Sequence, residues 1–146
     1  MLSNTKYKTL FFLLVTVLVL LAGCKKSSID SSLLIGKWTG LQSINRYTRN
    51  PNNTFAGIDT IALNNDTIVF IAGGQFTTSR YDTVRGVQSS SGIYSVNENT
   101  VSLNYTSTNT MVILQVISLT SHQFVFKSSA MIDPEDFVSS TVTYTR

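Results

Sequence analysis

Few residues in this 146-residue chain carry chemistry, and their spacing excludes more than it suggests. There is one histidine, His122, and one cysteine, Cys24. A nucleophile needs a base held within hydrogen-bond reach. Ser121 adjoins His122, but neighbours on a turn seldom form such a pair, and no Gly-x-Ser-x-Gly elbow occurs. His122 therefore reads as a surface or hydrogen-bonding residue. A single cysteine and a single histidine exclude a disulfide framework and a Cys- or His-based zinc cluster. Asp133, Glu135 and Asp136 form the densest acidic run. It lacks the twelve-residue calcium loop with its glycine and final glutamate, and reads as a solvated turn or a helix start. Asp59, Asp66, Asp82 and Glu98 stand isolated among apolar segments. Gly73-Gly74 is no phosphate loop, because no Lys-Ser/Thr and helix follow. No catalytic residue, metal ligand or cofactor site is expected.

Cys24 carries more information than any other residue, because of what precedes it. Lys6 and Lys8 form a short positive segment, and residues 10–22 are apolar except for Thr16. That length and those flanks suit an export signal better than a membrane span of about twenty apolar residues. The stretch ends in Leu21-Ala22-Gly23-Cys24. These four residues resemble the lipobox of bacterial lipoproteins at every position. The resemblance implies removal of residues 1–23, attack of the Cys24 thiol on the lipid donor, and Cys24 as the acylated first residue of the mature protein. Buried acyl carbons at about 0.8 kcal/mol per CH₂ would then hold the protein to a membrane.

Charge follows the same division. The whole chain has a formal charge of +3, whereas residues 24–146 carry nine Lys and Arg against eight Asp and Glu. No basic stripe remains, so nucleic acid is not an expected partner. Surface-exported lipoproteins of the Bacteroidetes type carry acidic residues after the cysteine. Lys25-Lys26-Ser27-Ser28 departs from that pattern, and the expected location is the outer membrane, facing the periplasm, with surface exposure as the alternative.

The elements that must position any site are strands. After a polar tether (residues 24–32), a single all-β domain is expected over residues 33–146, with a possible helical turn at 33–38. Of the 123 residues from Cys24 onward, 34 are Ser or Thr, as in strands with hydroxyls outward and aliphatics inward. Alternation marks strands at 36–47, 57–63, 66–72, 75–84, 93–96, 100–105, 111–119, 123–127 and 138–145. Asn64-Asn65 reads as a turn pair. Residues 86–92 read as a polar, flexible connection and 128–136 as a loop. Eight or nine strands joined by short turns favour antiparallel neighbours. A closed barrel avoids exposed edges, with a sandwich as its rival.

Leu34-Ile35-Gly36-Lys37-Trp38 resembles the Gly-x-Trp opening of lipocalins. The pieces 67–70, 73–76, 91–96, 100–103 and 116–126 are similar to the small lipocalin-like lipoproteins of Bacteroidetes. The resemblance implies an antiparallel up-and-down barrel of about eight strands, with Gly36 and Trp38 as structural residues and Trp38 plugging the closed end. The family's arginine over the tryptophan has no clear counterpart in the sequence. Tyr81-Asp82-Thr83 has the residues of its later turn, but in other flanks.

Twelve aromatic residues of this domain either fill the core or line a cavity. Tyr47, Tyr81, Tyr94 and Tyr105 are the candidates for an open-end cup holding a small hydrophobic or amphiphilic ligand. The alternative function is a filled barrel acting as a structural or interaction protein of the envelope, with a protein partner. A hydrolase is a remote third. The anchor is directly testable: Cys24→Ala should abolish incorporation of labelled palmitate, and continued labelling would refute acylation at this residue.

Overall fold

The computed structural model describes residues 28–49, 54–64, 66–131 and 136–146. Cys24, Lys25, Lys26, Asn65, Asp133 and Glu135 lie outside the described residues.

A 3₁₀ turn (Ser31–Leu34) precedes nine strands: β1 (Gly36–Arg49), β2 (Thr54–Ala62), β3 (Thr67–Ile71), β4 (Gln75–Asp82), β5 (Gly86–Asn97), β6 (Thr100–Tyr105), β7 (Thr110–Leu119), β8 (Gln123–Met131) and β9 (Asp136–Thr145). All pairings are antiparallel, and β1 closes on β9 over Thr39–Arg49. The other edge of β1 is shared. Gly36–Thr39 pair with β3, and Gln42–Arg49 pair with β2. β2 and β3 thus lie end to end as one stave, and the wall is a closed eight-stave barrel. The sandwich alternative is excluded by the β1–β9 closure.

Three local expectations are corrected. Asn64 does not head a hairpin between β2 and β3, which are not paired with each other. The chain instead kinks beside Gly40, whose N–H donates to Asp66 O at 2.8 Å while Leu63 N–H donates to Leu41 O at 3.1 Å. A methyl on Gly40 would come within 2.8 Å of Leu63 Cβ, so only glycine permits this approach. Residues 86–92 are not a flexible connection but the first half of β5, paired with β4 from Asp82↔Gly86 to Phe76↔Gly92. Its serines gain ladder bonds that their low hydropathy conceals. Residues 128–131 likewise continue β8 along β9.

The core occupies one end of the barrel. Trp38 and Phe124 are 0% exposed, Phe70 and Phe76 1%. Burying each side chain of this kind contributes about 1.5–3 kcal/mol. Their rings meet at angles that suit the aromatic quadrupole: Phe70 and Phe124 edge-on at 6.1 Å, Trp38 and Phe124 tilted at 5.7 Å.

Below them the barrel is latched shut. Asp30 caps the 3₁₀ turn, accepting from Ser32 N at 3.0 Å. Trp38 Nε1 donates to Leu34 O at 2.7 Å. Arg146 lies over the Trp38 ring, 4.1 Å from its centroid, and donates from Nη2 to Leu33 O at 2.9 Å and to Ile35 O. The arginine that the sequence did not reveal is therefore Arg146, 108 positions beyond the tryptophan. Gly36 sits at φ +122°, a conformation that side chains rarely adopt, and a Cβ there would crowd Arg146 Nη2 at 3.2 Å.

Arg146→Ala should destabilise the fold by about 1–3 kcal/mol, from the lost cation–π contact and the orphaned carbonyls. Urea unfolding of the variant measures this. Gly92→Ala should cost at least as much, because its methyl would sit 2.0 Å from Asn104 O.

Candidate functional site

Above the aromatic layer the wall parts into two sheets. β3–β4 pairing stops at Thr67↔Ser79, and the outer edge of β2 has no partner among the described residues. On the other side, β7–β8 pairing runs only from Leu119↔Phe124 to Gln115↔Lys127. The upper halves of β2, β1, β9 and β8 form one jaw, and those of β4, β5, β6 and β7 form the other.

Side-chain alternation decides what these jaws present inward. Trp38 sets the inner face of β1, and a register shift between Gly40 and Gln42 moves it onto Ser43, Asn45 and Tyr47. Opposite them on β9 stand Val142, Ser140 and Val138. From the second jaw, Phe76 sets the inner face of β4, which continues through Thr78 and Arg80. Tyr105 crowns β6, edge-on to Phe76 at 5.0 Å.

The result is a polar belt above an apolar floor. Ser43 and Asn45 are buried, and Ser43 Oγ donates to Asn45 Oδ1 at 2.8 Å. Asp66 sits at the kink where β2 leaves the wall. Its side chain is only 15% exposed, and Arg80 Nε lies 3.9 Å from Oδ2. Burial pushes the Asp66 carboxyl above its ordinary value, while Arg80 and the Tyr81 N–H hold it back. The Tyr144 hydroxyl is pushed up to about 12, first by burial and then by the Asp66 and Tyr105 charges, with Arg80 opposing. Burial also raises Tyr105, and a hydrogen bond with Thr78 opposes it.

Of the four tyrosines selected from sequence, two belong here. Tyr105 is part of the belt, and Tyr47 is half-buried on the inner face nearer the mouth. Tyr94 does not reach the open end. It packs edge-on to Phe70 at 4.9 Å, and its hydroxyl donates to Ile71 O at 3.3 Å beside the β3–β4 turn. Tyr81 falls at an odd position between Arg80 and Asp82, so it faces outward, 53% exposed. Trp38 lies wholly buried at the closed end, and Gly36 lies against Arg146. Asp66, Arg80, Tyr144, Ser43 and Asn45 were not singled out. Strand parity carried a signal for Tyr144 and Arg80, but nothing in the sequence showed that they meet across the barrel.

The belt offers hydroxyl and amide hydrogen bonds and an ion pair, but no histidine. His122 lies on the β7–β8 turn at the closed end, exposed, its Nδ1 2.7 Å from Ser121 Oγ. Asp82 is engaged by its own turn, accepting from Val84 N and Arg85 N at 2.8 Å each. Among the described residues no group of three His, Cys, Asp or Glu is placed to hold a metal ion.

A closed antiparallel barrel, latched by tryptophan and arginine at one end and parted at the other, defines a cup-shaped binding fold. The chain belongs to the lipocalin-like domain family, whose sequence model matches residues 34–126. Its structure is similar to that of a lipocalin-like protein from Bacteroides uniformis, with a TM-score of 0.50 and 14% identity over 78% of this chain and 99% of that one. An uncharacterized protein from Bacteroides eggerthii follows with a TM-score of 0.47 and 11% identity, over 77% of this chain and 99% of that one. No curated protein matches the sequence.

The buried tyrosine sets an alkaline limit. The unfolded chain ionises Tyr144 near pH 10, and the folded chain near 12. Between these values the folded state binds more protons, so stability falls as pH rises. The loss should be on the order of 2 kcal/mol across pH 10–12. Tyr144→Phe should flatten that part of a stability-versus-pH curve measured by urea unfolding.

Proposed function

We propose that this protein is a lipid-anchored binding module that holds a small amphiphile in the upper barrel and performs no catalysis. The observation that carries this reading is the layering of the interior. An aromatic floor fills the lower barrel, the hydroxyl-rich belt with the Asp66–Arg80 pair stands above it, and the wall parts at that level. Ligand sites of this kind combine apolar walls with a few placed polar groups. The ligand's hydrocarbon part would lie against Val112, Val138 and Val142, and its polar head would take hydrogen bonds from Tyr105, Tyr144 and Asn45. The Arg80 side chain is 75% exposed, so an acidic head would compete with Asp66 for it.

The anchor in this reading is the acylated Cys24, and the location is the outer membrane with the barrel facing the periplasm. Among the described residues no helix is long and apolar enough to cross a membrane. The lipobox supports the anchoring, and the short polar tether would leave the barrel close to the bilayer, where amphiphiles are abundant.

Solvent extraction of the purified protein, followed by mass spectrometry, tests the ligand. A non-covalent amphiphile should be recovered at near one per chain, and Asn45→Leu or Tyr105→Phe should lower its yield several-fold. An extract without any stoichiometric small molecule would overturn the carrier reading.

A further inference from the structure

The parting of β7 from β8 has a geometry of its own, separate from the polar belt. Above the Gln115↔Lys127 rung each strand keeps its other neighbour. β7 stays paired with β6 as far as Tyr105↔Thr110, and β8 stays paired with β9 as far as Met131↔Phe137. Between them is a cleft of about 680 Å³. Its lining mixes inner-face residues (Val112, Ser128 and Ala130) with outer-face ones (Met111, Ile113 and Ser129), so it passes through the wall.

Backbone direction follows from one hydrogen bond. Val116 N–H donates to Asn99 O at 2.7 Å, toward β6. Alternate residues point oppositely, so Met111, Ile113 and Gln115 turn their N–H and C=O groups toward β8. Gln115 faces Lys127 across the last rung. By the same alternation, Ser129 and Met131 turn their groups toward β7. Two backbone edges thus confront one another without a protein partner among the described residues. A row of donors and acceptors on both sides suits one kind of occupant, an extended polypeptide about 4.8 Å from each edge. Five residues, or ~16 Å at ~3.3 Å each, span the gap from mouth to rung.

The cleft is closed at its base, because β7 and β8 are joined from Gln115↔Lys127 downward. An inserted strand must end there. The residue at that dead end is Lys127, which no carboxylate pairs among the described residues. A chain entering from the mouth and ending at Lys127 places its terminal carboxylate beside an ammonium.

We propose that the β7–β8 cleft takes the carboxy-terminal segment of a partner polypeptide, about five residues long, added as a strand with its terminal carboxylate beside Lys127. Its alternate side chains face Val112 and Ala130 on the inside, favouring small apolar residues at those positions. The other side chains lie beside Met111 and Ile113, which are 63% and 52% exposed. This goes beyond the amphiphile reading: Val112 is the one residue both use, and the backbone edges, Ala130 and Lys127 belong to the cleft alone.

Selection from a library of displayed peptides with random free carboxy-terminal pentapeptides, against the lipidated protein in nanodiscs, tests it. Selected peptides should alternate small apolar residues, and should slow hydrogen exchange at Met111, Ile113, Ser129 and Met131. Amidating the terminus, or Lys127→Gln, should weaken binding at least tenfold. Ile113→Pro and Ser129→Pro remove cleft donors that the described fold does not use, so they should abolish binding while the barrel stays folded. Tyr105→Phe should leave binding unchanged. Failure to enrich any sequence, or binding indifferent to amidation or to both prolines, would overturn the proposal.

Discussion

Everything in this barrel rests on the closure beneath Trp38. The indole is wholly buried, yet it carries an N–H, and burying that donor without a partner would cost more than the bond itself contributes. Leu34 O accepts it. The same 3₁₀ turn leaves further carbonyls at its end. Arg146 meets that second demand, with its Cζ over the indole and its Nη2 on the carbonyls of Leu33 and Ile35. One guanidinium thereby ties the segment before β1 to the end of β9, the two strands whose pairing closes the wall. A lysine would supply the charge but not the planar fork.

The same aromatic packing that closes the lower end leaves the upper end open. Trp38, Phe70, Phe76 and Phe124 fill the space between the walls below. Higher up, many inward positions carry small residues, among them Ser43, Asn45, Thr78, Ser128, Ala130 and Ser140, and the two sheets are not paired there. The bulge at Leu41 and the kink at Asp66 carry β2 away from β4, and the Asp66 carboxylate takes the Tyr81 N–H in place of a ladder partner. Where side chains do not fill the barrel, backbone and hydroxyl groups are left able to bind something else. Capacity to bind is a consequence of where the fully buried aromatic packing stops.

Much of the fold was legible because alternation is a local property. Val101, Leu103 and Tyr105, or Phe124 and Phe126, declare their face within a single strand. The serines of 86–92 did not, since their place in β5 depends on Thr78, Arg80 and Asp82 across the ladder. Asn64 lies in a turn, as its type suggests, but the turn is a kink and not a hairpin, for a related reason. Asparagine pairs mark a change of direction, but whether the chain doubles back or carries on beside β1 depends on Gly40, some two dozen residues earlier. The tyrosines divide in the same way. Tyr105 could be chosen as an inner-face residue at a strand end, but Tyr94, equally inward, sits at the opposite end of the barrel. Tyr81 has the wrong parity relative to Phe76.

The sequence by itself determined an all-β domain and the residues that face inward along most strands. It also carries the one prospect of attachment, the residues ending at Cys24. These properties depend on spacing within a few neighbouring positions. Only the tertiary structure decided that Arg146 covers Trp38, that Asp66, Arg80, Tyr105 and Tyr144 share one layer, and that β7 and β8 part above Lys127. The reason is geometric. In a closed barrel, residues far apart along the chain are brought together by strand register and by the circuit of the wall, and neither is written in the alternation of any single strand.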